Sequence, residues 1–167
     1  MKNKFIIAVG SNINSPEGFN PIENCKKAIN ELSKFNIKII HKSSWYLSEP
    51  IPKSSKPKYY NSVILCNSNH NVNKVLKITR IVERKFGRVR VFKNMPRCID
   101  LDIISFNGNV KNSLLLTIPH PRMHLRKFVL LPLCEIDPHW LHPLLKKNVK
   151  FFLDKVKCQK IKKLKID

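Results

Sequence analysis

Apolar and polar positions alternate in blocks that can be read as elements. Phe5-Ile6-Ile7-Ala8-Val9, closed by Gly10-Ser11-Asn12, predicts a first strand over 5–11. Ile22, Cys25, Ile29 and Leu32 recur at helical spacing behind Pro21, which predicts an amphipathic helix over 21–35. Ile37, Ile39 and His41 alternate, so a second strand is expected over 36–46. Three prolines and three serines make 47–58 a long loop, and YYNSVILCN over 59–67 reads as strand three. Asn71 is placed to cap a helix whose apolar stripe is Val72, Val75, Leu76, Thr79, Val82 and Phe86, with Gly87 at its C-terminal stop. A polar loop over 88–96 precedes strand four over 97–106, and Asn107-Gly108-Asn109 signals a turn. Residues 113–138 add an apolar stretch, a proline-flanked turn and a short helix. From Leu144, the spacing of Leu145, Val149, Phe152 and Val156 predicts a last helix before a lysine-rich end.

The order β-α-β-β-α-β is that of an α+β, ferredoxin-like core: an antiparallel sheet, helices packed on one face, and a C-terminal extension. No linker or repeat divides the chain, so one domain over 1–167 is expected. No apolar run approaches the roughly 20 residues of a membrane helix, and no small-residue cleavage site follows the start. The cysteines at 25, 66, 98, 134 and 158 form no CxxC pair, which favours reduced thiols over a disulfide framework or zinc site. A cytoplasmic location follows from this reading, and a monomer is expected.

Charge changes the picture less than its size suggests. The formal net charge is +21, but 25 of the 32 basic residues are scattered lysines. Lys, Ile and Asn together supply 61 residues, a bias that fits A/T-rich codons; the alternative is a selected polyanion-binding surface. The arginines behave differently. All seven (80, 84, 88, 90, 97, 122 and 126) fall in one stretch. A planar five-donor fork suits phosphate oxygens, although Arg84 and Arg122 also read as plain surface residues.

Inside strand four, side chains alternate faces, so Asp100 and Asp102 share one face while Leu101 and Ile103 enter the core. Two carboxylates about 7 Å apart along the strand repel unless something compensates them. Mg²⁺ would do so and leave coordination sites for phosphate and water; salt bridges to nearby arginines are the other solution.

RVRVFKNMPRCIDLDII (88–104) closely resembles the signature of the 6-hydroxymethyl-7,8-dihydropterin pyrophosphokinase family. VGSN (9–12), YYN (59–61) and LTIPHPRMHLRKFVLLPLCEIDP (116–138) match in the same order. The resemblance implies transfer of pyrophosphate from ATP, the co-substrate, to the pterin hydroxymethyl oxygen, with AMP released, in folate biosynthesis. It implies that Asp100 and Asp102 hold two Mg²⁺ ions and that Arg88 and Arg97 are catalytic. Positions matching ATP contacts are Arg80, Glu83, Arg90, Ile103, Thr117, His120 and Arg126. Those matching pterin contacts are Ser48, Ile51, Tyr59, Asn61 and Phe128. From the residues alone, Arg80 and Glu83 at i, i+3 also read as a surface ion pair of little energetic consequence.

The chain departs from the pattern in places. The loop before strand four lacks the family's tryptophan, and Met95 stands at its small position; Phe92 is the nearest replacement ring. Leu115 stands where some members carry arginine. Two other functions compete. A basic ferredoxin-like nucleic-acid-binding module would need aromatic stacking platforms on its central strands, and leaves the aspartates without purpose. A catalytically dead relative is opposed by the intact acids and arginines. The partners expected are therefore ATP and the pterin, with no obligate nucleic acid and no membrane.

Overall fold

The computed structural model describes residues 2–88 and 95–166. Strand β1 (Asn3–Ser11) lies at the heart of the main sheet. It pairs antiparallel with β4 (Tyr59–Ser68) on one side and β5 (Asp100–Phe106) on the other.

Helices α1 (Pro21–Ser33) and α2 (Val72–Lys85) cover one face. Their buried residues, among them Cys25, Leu32, Val75, Ile78 and Val82, meet Phe5, Ile7, Val9, Ile64, Leu101 and Ile103 in one core. Both helices start where their side chains can satisfy free backbone amides. Asn20 accepts from Ile22 and Glu23 while Glu23 accepts from Asn20 N–H, a reciprocal capping box. Asn71 accepts the Lys74 N–H at 2.9 Å, and Gly87 follows α2 at φ +78°, a conformation glycine tolerates best.

The opposite face is covered too, which corrects the one-face expectation. Strands β1 and β4 are apolar on both sides, so a second layer is required. Ile6, Val63, Leu65 and Ile104 pack against Met123, Val129, Leu130 and Leu133 around α3 (Lys127–Ile136), and these against Trp140, Val149, Phe152 and Val156 around α4 (Val149–Lys155). The C-terminal extension is thus the second half of the core.

The expected second strand is broken in two. β2 (Lys38–Lys42) and β3 (Tyr46–Ser48) pair with different parts of β4 along one edge. At the break Ser43 N donates to Val63 O at 2.9 Å, and Ser43 Oγ accepts from Val63 N at 3.0 Å. A serine side chain there stands in for the backbone ladder. The loop accordingly covers 49–58 rather than 47–58. A hairpin of β6 (Lys111–Asn112) and β7 (Thr117–Ile118) follows the Asn107-Gly108 turn. Two further corrections concern the tail. The last helix begins at Val149, because 141–148 is a tight reversal in which His142 Nδ1 accepts the Leu144 and Leu145 N–H groups. The lysine-rich end contains β8 (Ile161–Lys163), which adds to β3. Among the described residues all five cysteines are free thiols, and no helix is long and apolar enough to cross a membrane.

Candidate active site

Small residues on β1 open the site. In the sheet register Gly10 lies between Asp100 of β5 and Asn61 of β4, and Ala8 lies between Asp102 and Val63. With almost no side chain at these positions, the floor between the acids and β4 stays open. A cavity of about 340 Å³ sits there, bounded by Ala8, Gly10, Tyr59, Asn61, Asp100 and Asp102. Arg97, Arg126, Ile51 and Phe128 are among the other residues that line it.

The two aspartates therefore share one face, as the strand alternation predicts, and Leu101 and Ile103 are buried on the other. Their surroundings differ. Asp100 is held by two guanidinium groups: Arg88 Nη1 donates to Oδ1 at 2.5 Å and Arg97 Nη1 to Oδ2 at 2.6 Å. The salt-bridge alternative thus describes Asp100 here. Asp102 faces His120, with Nε2 and Oδ2 3.8 Å apart. Burial and the neighbouring Asp100 carboxylate push Asp102 up to about 7, against the pull of Arg126 and Arg88. Burial, then Arg126 and Arg122, push His120 down to about 4, so its ring is neutral near pH 7. His120 Nδ1 accepts the Arg122 N–H at 3.2 Å, which leaves the ring proton on Nε2, toward Asp102. Asp102 is thus the acid whose charge is under-compensated, and the site favours a cation beside it.

A second cavity, of about 270 Å³, adjoins the first across Asp102. Arg80, Ile103, Thr117 and His120 line it with Leu76, Leu101 and the β6–β7 hairpin. A bulge helps to build this wall. The register of β5 against β1 shifts between Ile6 and Ile7, skipping Ile104, and the freed Ile104 carbonyl accepts His120 N–H at 2.9 Å. Glu83 is not paired with Arg80 at the surface, which corrects that reading. It is 2% exposed, accepts the Leu101 N–H at 2.9 Å and pairs with Arg88. Its i+4 relation to Thr79 places it on the buried stripe of α2. Glu83 and Arg88 line an outer groove with Arg80 and Arg84, rather than the second cavity itself.

On the other side Asn61 is buried, and its Nδ2 donates to Ser48 Oγ at 2.9 Å and to Tyr59 O at 3.0 Å. Ser48 is the last residue of β3, not part of the loop; it supports Asn61 from behind instead of lining the cavity. Phe128 presents its ring beneath the Arg126 guanidinium, 5.5 Å from the ring centroid. Arg90 and Phe92 lie outside the described residues.

Asn12 was not singled out, although VGSN contains it. It is 3% exposed and ties three segments together. Its Oδ1 accepts Arg97 N–H at 2.7 Å, its own N–H donates to Arg97 O at 3.1 Å, and its Nδ2 donates to Pro57 O at 3.1 Å. Its signal in the sequence was position: a polar residue just beyond a buried strand end, where an amide can serve several backbone groups. Gly10 and Ala8 gave the same kind of signal, as small residues at alternate positions of an otherwise bulky strand.

Two cavities meet at one acidic strand face, so two ligands can lie side by side there. The chain belongs to the family described as 7,8-dihydro-6-hydroxymethylpterin-pyrophosphokinase (HPPK), whose sequence model matches residues 6–138. It is 34% identical over 154 residues to a 2-amino-4-hydroxy-6-hydroxymethyldihydropteridine pyrophosphokinase of Synechocystis sp., covering 92% of this chain and 76% of that protein. It is also 34% identical over 156 residues to the folic acid synthesis protein fol1 of Pneumocystis carinii, covering 93% of this chain but only 20% of the relative. Among solved structures, a Plasmodium falciparum HPPK-DHPS superimposes with a TM-score of 0.67 at 15% identity, over 93% of this chain and 44% of that one. That likeness bears on the fold alone.

Proposed function

We propose that the chain transfers the pyrophosphoryl group of ATP to the hydroxymethyl oxygen of 6-hydroxymethyl-7,8-dihydropterin, giving the pterin diphosphate and AMP for folate biosynthesis. The observation that carries this reading is that Asp102 lines both cavities, so a ligand in each meets its neighbour there. The larger cavity suits a flat, polar-edged heterocycle, with the rings of Tyr59 and Phe128, the Asn61 amide and Ile51 in its walls. The adjoining one suits the nucleotide, with Leu76, Ile103 and Leu116 against the base and Arg80, Thr117 and His120 at its polar edge.

In the reaction the hydroxyl oxygen bonds to the β-phosphorus. The bond from that phosphorus to the α–β bridging oxygen breaks, AMP leaves with the bridging oxygen, and the hydroxyl proton passes to water. The protein's part is positioning and charge stabilisation. Arg97 and Arg126, both lining the larger cavity, offer guanidinium forks to the charge that develops on the phosphate oxygens. Arg88, released from Asp100, adds a third, and Arg90 grips phosphate. Asp100 and Asp102 would hold two Mg²⁺ ions, which suits the under-compensated charge on Asp102. Bound Mg²⁺ supplies charge neutralisation and polarisation of the attacking hydroxyl. Among the described residues there is no cluster of three or more His, Cys, Asp or Glu, so phosphate oxygens and water complete such a coordination shell. One chain supplies both cavities, so a monomer suffices. Five free thiols fit the cytoplasm.

The test is product analysis with ATP, Mg²⁺ and the pterin. AMP and pterin diphosphate in equal amounts are expected. ADP in place of AMP overturns pyrophosphoryl transfer, and oligonucleotide binding without AMP favours the nucleic-acid module.

A further inference from the structure

Helix α3 starts at Lys127 with Arg126 as its N-cap, and Arg126 makes no side-chain capping bond. The cap comes from the far end of the chain. Gln159 Oε1 accepts the Lys127 N–H at 2.8 Å, and Gln159 Nε2 donates to Leu125 O at 2.7 Å. One side-chain amide therefore grips the backbone on both sides of Arg126. A second tie joins the same segments, from Lys127 Nζ to Lys157 O at 3.0 Å. Gln159 is itself anchored. Its N–H donates to the carbonyl of Val156, a residue of the second core, and two residues later the chain enters β8 and pairs with β3.

We propose that Gln159 is a positioning residue for Arg126: it fixes the backbone at 125–127 so that the Arg126 guanidinium is held over Phe128 and delivered to the phosphate oxygens of the nucleotide. The inference rests on the reading of Arg126 given above. Position 159 lies outside the stretch that matches the family, 6–138, so that match assigns it nothing. The chemistry singles out a primary amide. Bridging an N–H and a C=O on either side of one residue takes an acceptor and a donor on the same planar group. Glutamate would set a carboxylate against the Leu125 carbonyl, and asparagine is one methylene short. The benefit is pre-organisation: an arginine on a fixed backbone loses less freedom when it binds phosphate. The arrangement also gives the lysine-rich tail a role that its composition does not reveal, since residues 156–163 carry the cap.

The experiment is a double-mutant cycle on the full chain. Affinity for a non-hydrolysable ATP analogue with Mg²⁺ is measured for the native chain, Gln159→Met, Arg126→Ala and the double variant, alongside melting temperature. Gln159→Met should bind about tenfold more weakly, in line with losing a helix cap's worth of interaction. Arg126→Ala should bind more weakly still, and the double variant no more weakly than Arg126→Ala alone. Gln159→Glu, which keeps the acceptor but sets a carboxylate against the Leu125 carbonyl, should also bind more weakly than the native chain; it carries the test if Gln159→Met does not fold. If Arg126→Ala binds normally, the phosphate-binding reading of Arg126 fails and Gln159 has nothing to position. If Arg126→Ala binds weakly while Gln159→Met lowers only the melting temperature, or the two losses add, Arg126 keeps its role and the positioning role of Gln159 is overturned.

Discussion

Arg88 Nη1 lies 2.5 Å from Asp100 Oδ1, and the same nitrogen contacts the Glu83 carboxylate. A guanidinium thus sits on a carboxylate that the family resemblance implies for a divalent cation. On the reading proposed above, a metal at Asp100 would compete with this guanidinium, so binding one would release the other. Arg88→Ala should therefore have two opposite effects. Mn²⁺ added without nucleotide should bind more tightly, because a competing charge has gone. Turnover should fall by about 100-fold or more, the usual cost of losing a donor aimed at transition-state charge. Calorimetric Mn²⁺ titration and AMP release read the two separately, and weaker Mn²⁺ binding would refute the competition.

Asp102 should show function bought at the expense of stability. Its carboxyl is raised to about 7 from an unfolded value of 3.8. A raised acid ionises more readily in the unfolded chain, so stability falls as pH rises from about 4 to about 7 and stays low above. Asp102→Asn removes that penalty. At pH 8 it should melt a few degrees higher, for a gain of about 1 kcal/mol once screening by solvent in the open cavity is discounted. AMP release should be lost. A lower melting temperature at pH 8 would show that the carboxylate is already compensated in the chain.

Much of this was legible in the sequence, for local reasons. The α1 and α2 boundaries follow from Asn71, Pro21 and Gly87, which act through their own backbone neighbours. The shared face of Asp100 and Asp102 follows from strand alternation alone. What escaped depends on distant partners. β8 has no apolar period; it exists because β3 offers an open edge. The break at Ser43 depends on Val63, twenty residues away, and the inward turn of Glu83 depends on the Leu101 amide. The arginine–acid pairing at Asp100 was one of two open solutions, and only three-dimensional placement shows it.

Gly10 offers a test of the cavity floor. A Cβ placed there would lie 3.5 Å from Asn61 Oδ1, an ordinary contact, so a small side chain fits the protein itself. It would fill space between Asn61 and Asp100 instead. Gly10→Val should fold with a melting temperature near that of the native chain, helped by valine's preference for strands. Its KM for the pterin should rise at least tenfold, while affinity for the ATP analogue changes by less than about threefold, because the cavity proposed for the nucleotide does not include Gly10. Equal losses for both substrates would show that the two cavities do not divide the substrates in this way.

His142 should make the C-terminal layer sensitive to acid. The ring is 2% exposed, and its Nδ1 accepts two backbone N–H groups, from Leu144 at 3.3 Å and Leu145 at 3.1 Å. A proton on Nδ1 would abolish both bonds. The rings of His124, Trp140 and Phe152 surround it, each with its centroid within 5.7 Å. Burial, and then His124, push its pKa down from 6.5 to about 4. The unfolded chain therefore binds the proton more readily than the folded one between those values. Stability from this group is complete above about 6.5 and is lost as pH falls toward 4, with a slope of at most about 1.4 kcal/mol per pH unit. His142→Asn keeps a short polar acceptor without the titrating ring. It should start less stable at pH 8, through lost packing against Trp140 and Phe152, but should lose less between pH 6.5 and pH 4.5 than the native chain does. Urea unfolding at the two pH values measures both slopes. Parallel slopes would assign the acid sensitivity to other groups.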